Sequence, residues 1–160
     1  MSQKSIEQRL QRLEASQAIQ NLIGRYATAA DQRNDAYLMT QLYHPNAIWR
    51  AKGFGEYQGR EQITQALSAI AQEQVLWSLH VMAQPDIFIN EACTQATARW
   101  VLWELSTLGQ PNKIQQDAFL GGFYQSTLSP NEYGEWRFDV VELNLTLNSP
   151  CSQPLQKINA

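Results

Sequence analysis

The chain has 160 residues, 44% of them hydrophobic and 17% charged, with a formal net charge of −3; this size and balance suit one globular domain with a substantial core. The acidic balance and the lack of any basic run exclude a nucleic-acid footprint, and no apolar stretch approaches the length of a membrane span. The opening MSQKSIEQRL has no signal-peptide core, so a soluble, cytoplasmic protein is expected, touching neither nucleic acid nor membrane.

In chain order, Ile6, Leu10 and Leu13, then Ile19, Leu22, Ile23, Tyr26 and Ala30, recur at steps of three to four residues. That period predicts a first helix ending near Asp31, with a break or exposed turn near Ser16 where QRLEASQ is polar. RND is a turn and cap, and Ala36 to Tyr43 reads as a second helix stopped by Pro45. Ala47 to Arg50 is a short strand, and AKGFGEYQGREQ a Gly-rich hairpin or loop. A third helix follows to about Gln72, with Ile63, Leu67 and Ile70 as its stripe.

From Val75 the period becomes two. Four long strands are predicted, at about 75–90, 93–107, 114–128 and 135–147, separated by the turn-like NEA, LGQPN and SPNEYGE. Short connections argue for an antiparallel meander. The tail 148–160 has no period and is expected to be loose or packed across a partner, which leaves 1–147 as one domain. Helices first and strands after is an α+β order. Three helices cannot cover both faces of so long a sheet, so the sheet is expected to curl around the N-terminal helices as a cone, with a cavity suited to a small molecule.

The candidates for chemistry are few. His80 lies in LWSLHVM, on the strand face that carries Leu76, Ser78 and Met82. It is either a hydrogen-bonded core histidine or a general acid or base, a role that an imidazole titrating near neutrality suits. Asp31 closes the first helix at the end where the helix dipole disfavours a carboxylate. It is either a solvated surface acid or a group aimed into the cone to orient His80, as a carboxylate orients the histidine of a catalytic triad. Tyr26, on the same stripe, is core or a donor to a substrate oxygen. Trp49, Trp77, Trp103, Phe119 and Tyr124 are taken as walls for a small hydrophobic, ring-shaped ligand.

Other polar groups carry less. His44, beside Pro45, reads as structural. Arg99, Glu104 and Asp117 are polar residues inside strands, and alternation alone does not say which faces the cavity. Cys93 and Cys151 stand apart, without a CxxC or a neighbouring His, so neither a metal site nor a disulfide framework is expected. GxGxxG, Walker A, GxSxG and HExxH patterns are absent from the sequence. Metal-free, cofactor-free acid–base chemistry is what this inventory allows.

AIQNLIGRYATAAD, LYHPNAIW, GFGEYQGREQI, the isolated His80, GGFYQSTL and GEWRF together resemble, in order and spacing over about residues 10–145, the SnoaL-like group of the nuclear transport factor 2-like superfamily. The resemblance implies the α+β cone and a homodimer formed through the outer sheet face. It is strongest to the scytalone dehydratase and hexachlorocyclohexane dehydrochlorinase branch, whose Asp–His dyad falls on Asp31 and His80 and whose polar active-site position falls on Tyr26. It implies a cofactor-free lyase or isomerase, of dehydratase or cyclase type. The second catalytic histidine of scytalone dehydratase has no counterpart after His80. The same fold also serves as a non-catalytic binding module, or as a structural subunit like the small subunit of ring-hydroxylating dioxygenases.

Overall fold

Ser5 opens the first helix, α1 (Ile6–Asp31). Its hydroxyl accepts from the Gln8 amide at 3.2 Å while the Gln8 side chain accepts from the Ser5 amide at 3.1 Å, so two orphan donors are satisfied reciprocally. The structure is a computed structural model that describes residues 5–158; residues 1–4 and 159–160, the extremes of the expected domain and tail, lie outside the described residues.

The expected break near Ser16 does not occur, and α1 runs unbroken for 26 residues. Nothing before Gly24 is glycine or proline, so polarity alone gives the backbone no reason to stop. The expected stripe is buried only from Ala15 onward. Ile6, Leu10 and Leu13 are exposed and lie outside the core cluster. Among the described residues no helix is long and apolar enough to cross a membrane.

After α1 the backbone turns through positive φ at Arg33 and Asn34. Asp35 then caps α2 (Ala36–Thr40) by accepting from the Leu38 amide at 2.9 Å. This helix is shorter than expected, because Tyr43 already belongs to strand β1 (Tyr43–Ala51). Pro45 does not stop a helix. It sits inside β1, in the stretch between Tyr43 and Ile48 where the register with the neighbouring strand shifts and ladder donors are not demanded of it. The Gly-rich segment is a hairpin to β2 (Gly55–Gln58), and α3 (Arg60–Glu73) follows.

The long strands are β3 (Val75–Ile89), β4 (Ala96–Gly109), β5 (Gln115–Pro130) and β6 (Trp136–Pro150). They form the expected antiparallel meander. β1 adds to β6 in parallel, which gives a six-stranded mixed sheet in the order β2-β1-β6-β5-β4-β3. Register shifts between Ala83 and Asp86 in β3, and at two places where β6 meets β5, bend the sheet. Its inner face closes on α1. Ile19, Leu22, Ile23 and Tyr26 of the helix share one core with Trp100, Tyr124, Phe138 and Val141 of the sheet. Trp100 stacks on Tyr124 with ring centres 5.1 Å apart and planes 15° apart. The fold is the expected α+β arrangement of N-terminal helices on a curved mixed sheet.

The tail is not loose. It turns back over the outer face of its own sheet: the Cys151 amide donates to the Asp117 carbonyl at 2.7 Å and the Leu155 amide to the Asp117 carboxylate at 2.8 Å. The Lys157 ammonium sits 3.0 Å from that carboxylate and 5.0 Å from the centre of the Trp77 ring. Asp117 is thus a tail anchor. Its carboxyl is held below the usual range by the Thr107 hydroxyl and, behind it, by the Leu155 amide and Lys157.

One glycine tests the bend. A Cβ on Gly122 would lie 2.2 Å from the Asn144 carbonyl oxygen, whereas one on Gly121 would meet side chains alone, Leu147 at 3.3 Å and Trp103 at 3.7 Å. Gly122→Ala is expected to lose about 3 kcal/mol, since backbone cannot yield as a side chain can, and Gly121→Ala under about 1 kcal/mol. Urea denaturation of both variants measures the difference, and equal midpoints would contradict this account of the bend.

Candidate functional site

Asp31 is the last residue of α1, at the end where a carboxylate is disfavoured by the dipole. The sheet compensates: the same oxygen, Oδ1, accepts from the His80 backbone N–H at 2.8 Å and stands 2.7 Å from His80 Nδ1. The turn that follows is tied to both neighbouring elements. The Arg33 guanidinium donates to the carbonyls of Leu76 at 2.7 Å and Ala71 at 2.8 Å, and the Asn34 amide to the carbonyl of Leu67 at 2.8 Å. The helix end is therefore held rigidly against β3 and α3.

A second carboxylate reaches His80 from the other side. In the β3–β4 ladder His80 is directly opposite Glu104. Glu104 Oε2 lies 3.3 Å from His80 Nε2, and Glu104 Oε1 accepts from the Ser106 hydroxyl. Both side chains are buried. Burial alone would push the His80 pKa down. Its hydrogen-bonding contacts with Asp31 and Glu104, and their charge, outweigh burial and raise it to about 9. The two acids on either side of the ring thus favour its protonated form.

His80 and Glu104 lie on the wall of a cavity of about 570 Å³, counted to the atom surfaces and including its open mouth. Tyr26, Trp49 and Tyr124 also line it, with apolar walls from Leu67 and Ile70 of α3, Leu120 of β5, and Leu143 and Leu145 of β6. Trp49 Nε1 donates to the Tyr26 hydroxyl at 2.9 Å, so the Tyr26 O–H proton remains free to be donated elsewhere. Burial raises the pKa of Tyr26, and that of Tyr124 further; both phenols stay protonated through the neutral range.

Of the expected site residues, His80, Asp31, Tyr26, Trp49 and Tyr124 converge here. Trp77, Trp103 and Phe119 do not. Each precedes or follows an inward-facing residue by one place, so the pleat turns it to the outer face. Trp77 lies under Lys157, and Trp103 packs edge-on against Phe119 at 5.1 Å with 46% of its surface exposed. Arg99 is also outside, over the Phe123 ring. His44 is remote from the cavity, with its ring nitrogen 3.0 Å from the Ser129 carbonyl oxygen. Glu104 was one of three equivalent polar strand residues in the sequence, and only its pairing with His80 singles it out.

Residues 11–142 match the SnoaL-like domain family. Among solved structures, a hexachlorocyclohexane dehydrochlorinase of LinA type 3 from Novosphingobium barchaimii superposes with a TM-score of 0.80 at 18% identity, covering 94% of this chain and 99% of that one. A candidate scytalone dehydratase from Novosphingobium aromaticivorans gives 0.73 at 22% identity, over 93% and 98%. A nuclear transport factor 2-like superfamily protein from Salmonella enterica gives 0.72 at 18% identity, over 92% and 99%. At such identities these likenesses establish the fold. Among curated proteins none matches the chain in sequence.

Proposed function

The chain belongs to the SnoaL-like domain family, within the nuclear transport factor 2-like superfamily, and from that footing we propose that it is a cofactor-free lyase or isomerase acting on a small hydrophobic ring compound. The observation that carries this reading is the 2.7 Å contact of His80 with Asp31 on the wall of a largely apolar cavity. His80 is the proton-transfer group. Asp31 orients its ring and stabilises its charge, as acid partners of catalytic histidines do. Tyr26, braced by Trp49, donates its hydroxyl proton to a substrate oxygen, and Trp49 and Tyr124 face the ring. Elimination or isomerisation by proton transfer changes no overall oxidation state, so these side chains suffice. For the homodimer, the exposed Leu79, Val81 and Trp103 favour the outer sheet face.

A panel of cyclic alcohols, ketones and halides, incubated with the purified protein without added cofactor, tests the reading. At least one compound is expected to be converted to an unsaturated or isomerised product. Saturable binding of several compounds with conversion of none would instead make the cone a binding module.

A further inference from the structure

The Asp–His pair is what the family resemblance leads one to expect. The carboxylate on the far side of His80 is not. A neutral imidazole carries a single N–H, and here both ring nitrogens face carboxylate oxygens: Nδ1 is 2.7 Å from Asp31 and Nε2 is 3.3 Å from Glu104. If the one proton sat on Nδ1, the lone pair of Nε2 would point at the lone pairs of Glu104 in a buried site. With both carboxyls ionised, only a protonated ring offers a donor to each. The nitrogen that would serve as the base is thus occupied, whereas Glu104 keeps a free lone pair and lines the cavity.

We propose that Glu104 is a catalytic residue: its carboxylate takes the proton from the substrate carbon while the His80 imidazolium, held by Asp31, protonates the leaving hydroxyl. This rests on the acid–base reading above and reverses the part expected of His80, from base to acid. The step balances within the site. The C–H bond breaks, its proton goes to Glu104 Oε2, and its electron pair forms the new C=C bond. The C–O bond breaks, its pair stays on oxygen, and that oxygen takes the Nε2 proton and leaves as water. Glu104 is then protonated and His80 neutral, and the proton passes from Oε2 to Nε2 across their contact. No solvent or co-reactant is needed to reset the pair. A halide leaves as an anion without needing a proton whereas a hydroxyl does need one, so an acid at this position is required most by hydroxyl compounds.

The two assignments of His80 predict opposite pH profiles. The titratable groups around the ring are Asp31 and Tyr26 from α1, Glu104 from β4 and Tyr124 from β5. The helix α3 and β6 contribute apolar walls, and the Arg33 guanidinium is bonded to backbone carbonyls. Both tyrosines are pushed upward by burial, which leaves His80, near 9, as the group that titrates on the alkaline side. With His80 as acid, the rate holds through neutrality and falls as the pH passes about 9. With His80 as base, the rate rises over the same interval.

The test compares the wild type with Glu104→Gln and Glu104→Asp, using a ring alcohol converted by the wild type, and reads the His80 ring nitrogens by ¹⁵N NMR without ligand. Glu104→Gln is expected to lower kcat by about 10²-fold or more with KM little changed, and Glu104→Asp to restore part of the rate. The ring should be an imidazolium at pH 7 in the wild type and neutral in Glu104→Gln. A Glu104→Gln rate within threefold of wild type, a rate that climbs through pH 9, or a neutral ring in the wild type would each overturn the assignment while leaving the lyase reading standing. Failure of the wild type to convert any compound would remove both.

Discussion

His80→Ala is expected to lower turnover by about 10²–10⁴-fold, the range a single positioned acid–base group supplies, with the fold retained. The loss is large because no other side chain on the cavity wall can supply the proton to the leaving group in the neutral range. Tyr26 and Tyr124 are held protonated by burial. Removing the ring also leaves Asp31 and Glu104 without the cation between them, so stability and chemistry must be separated. His80→Gln does this: its amide can still donate to Asp31 but carries no titrating proton. Asp31→Asn is the companion variant, removing the negative charge that holds the ring's proton on Nδ1 while keeping the side-chain volume and an acceptor oxygen. Circular dichroism establishes that each variant is folded, and initial rates on a compound converted by the wild type give the effect. Rates within a few-fold of wild type in both His80→Gln and Asp31→Asn would eliminate the dyad as the catalytic centre.

A second large effect is on stability against pH. The His80 pKa is raised from its ordinary 6.5 to about 9 in the folded protein, because the two carboxylates outweigh the opposing effect of burial. A raised folded-state value means that the folded chain holds the proton more tightly than the unfolded chain does. The stabilisation is therefore complete below about pH 6.5 and is lost as pH rises through about 9; a shift of this size corresponds to about 3 kcal/mol. Urea denaturation of the wild type and of His80→Gln at pH 6, 8 and 10 isolates this contribution, since other alkaline titrations are common to both proteins. The wild type is expected to lead by a margin that shrinks towards pH 10. A margin that stays level across that range would show that His80 is not the cation at the centre of the triad.

The strand meander was legible because a sheet with one buried face imposes period two on every strand, and Val75 to Leu147 keeps that period with turn residues at each break. The end of α1 at Asp31 was legible too, from the apolar stripe and the RND turn. Polarity misled at Ser16, where an exposed helix continues because its backbone is satisfied regardless of what its side chains meet. Pro45 misled as well, because a proline that ends a helix is equally at home where a strand's ladder is interrupted. For the aromatic residues the inner and outer faces were open, and three of five chosen walls fell outside.

By itself the sequence determined the α+β order and the curled sheet on the N-terminal helices, because each is a matter of local period and of which residues must be buried; the pairing of Asp31 with His80 was an open reading of the residues that the family resemblance pointed to. What stands on the other side of His80 was decided only by tertiary structure. Extending the register of Ile89 with Ala96 along the β3–β4 ladder would set Leu105 opposite His80. The bulge between Ala83 and Asp86, with Gln84 at positive φ, slips β3 by one residue and brings Glu104 there instead. A single inserted residue in a strand exchanges which side chain meets which across the ladder. Here it replaces a leucine by a carboxylate at the ring nitrogen on which the chemistry of the cavity depends.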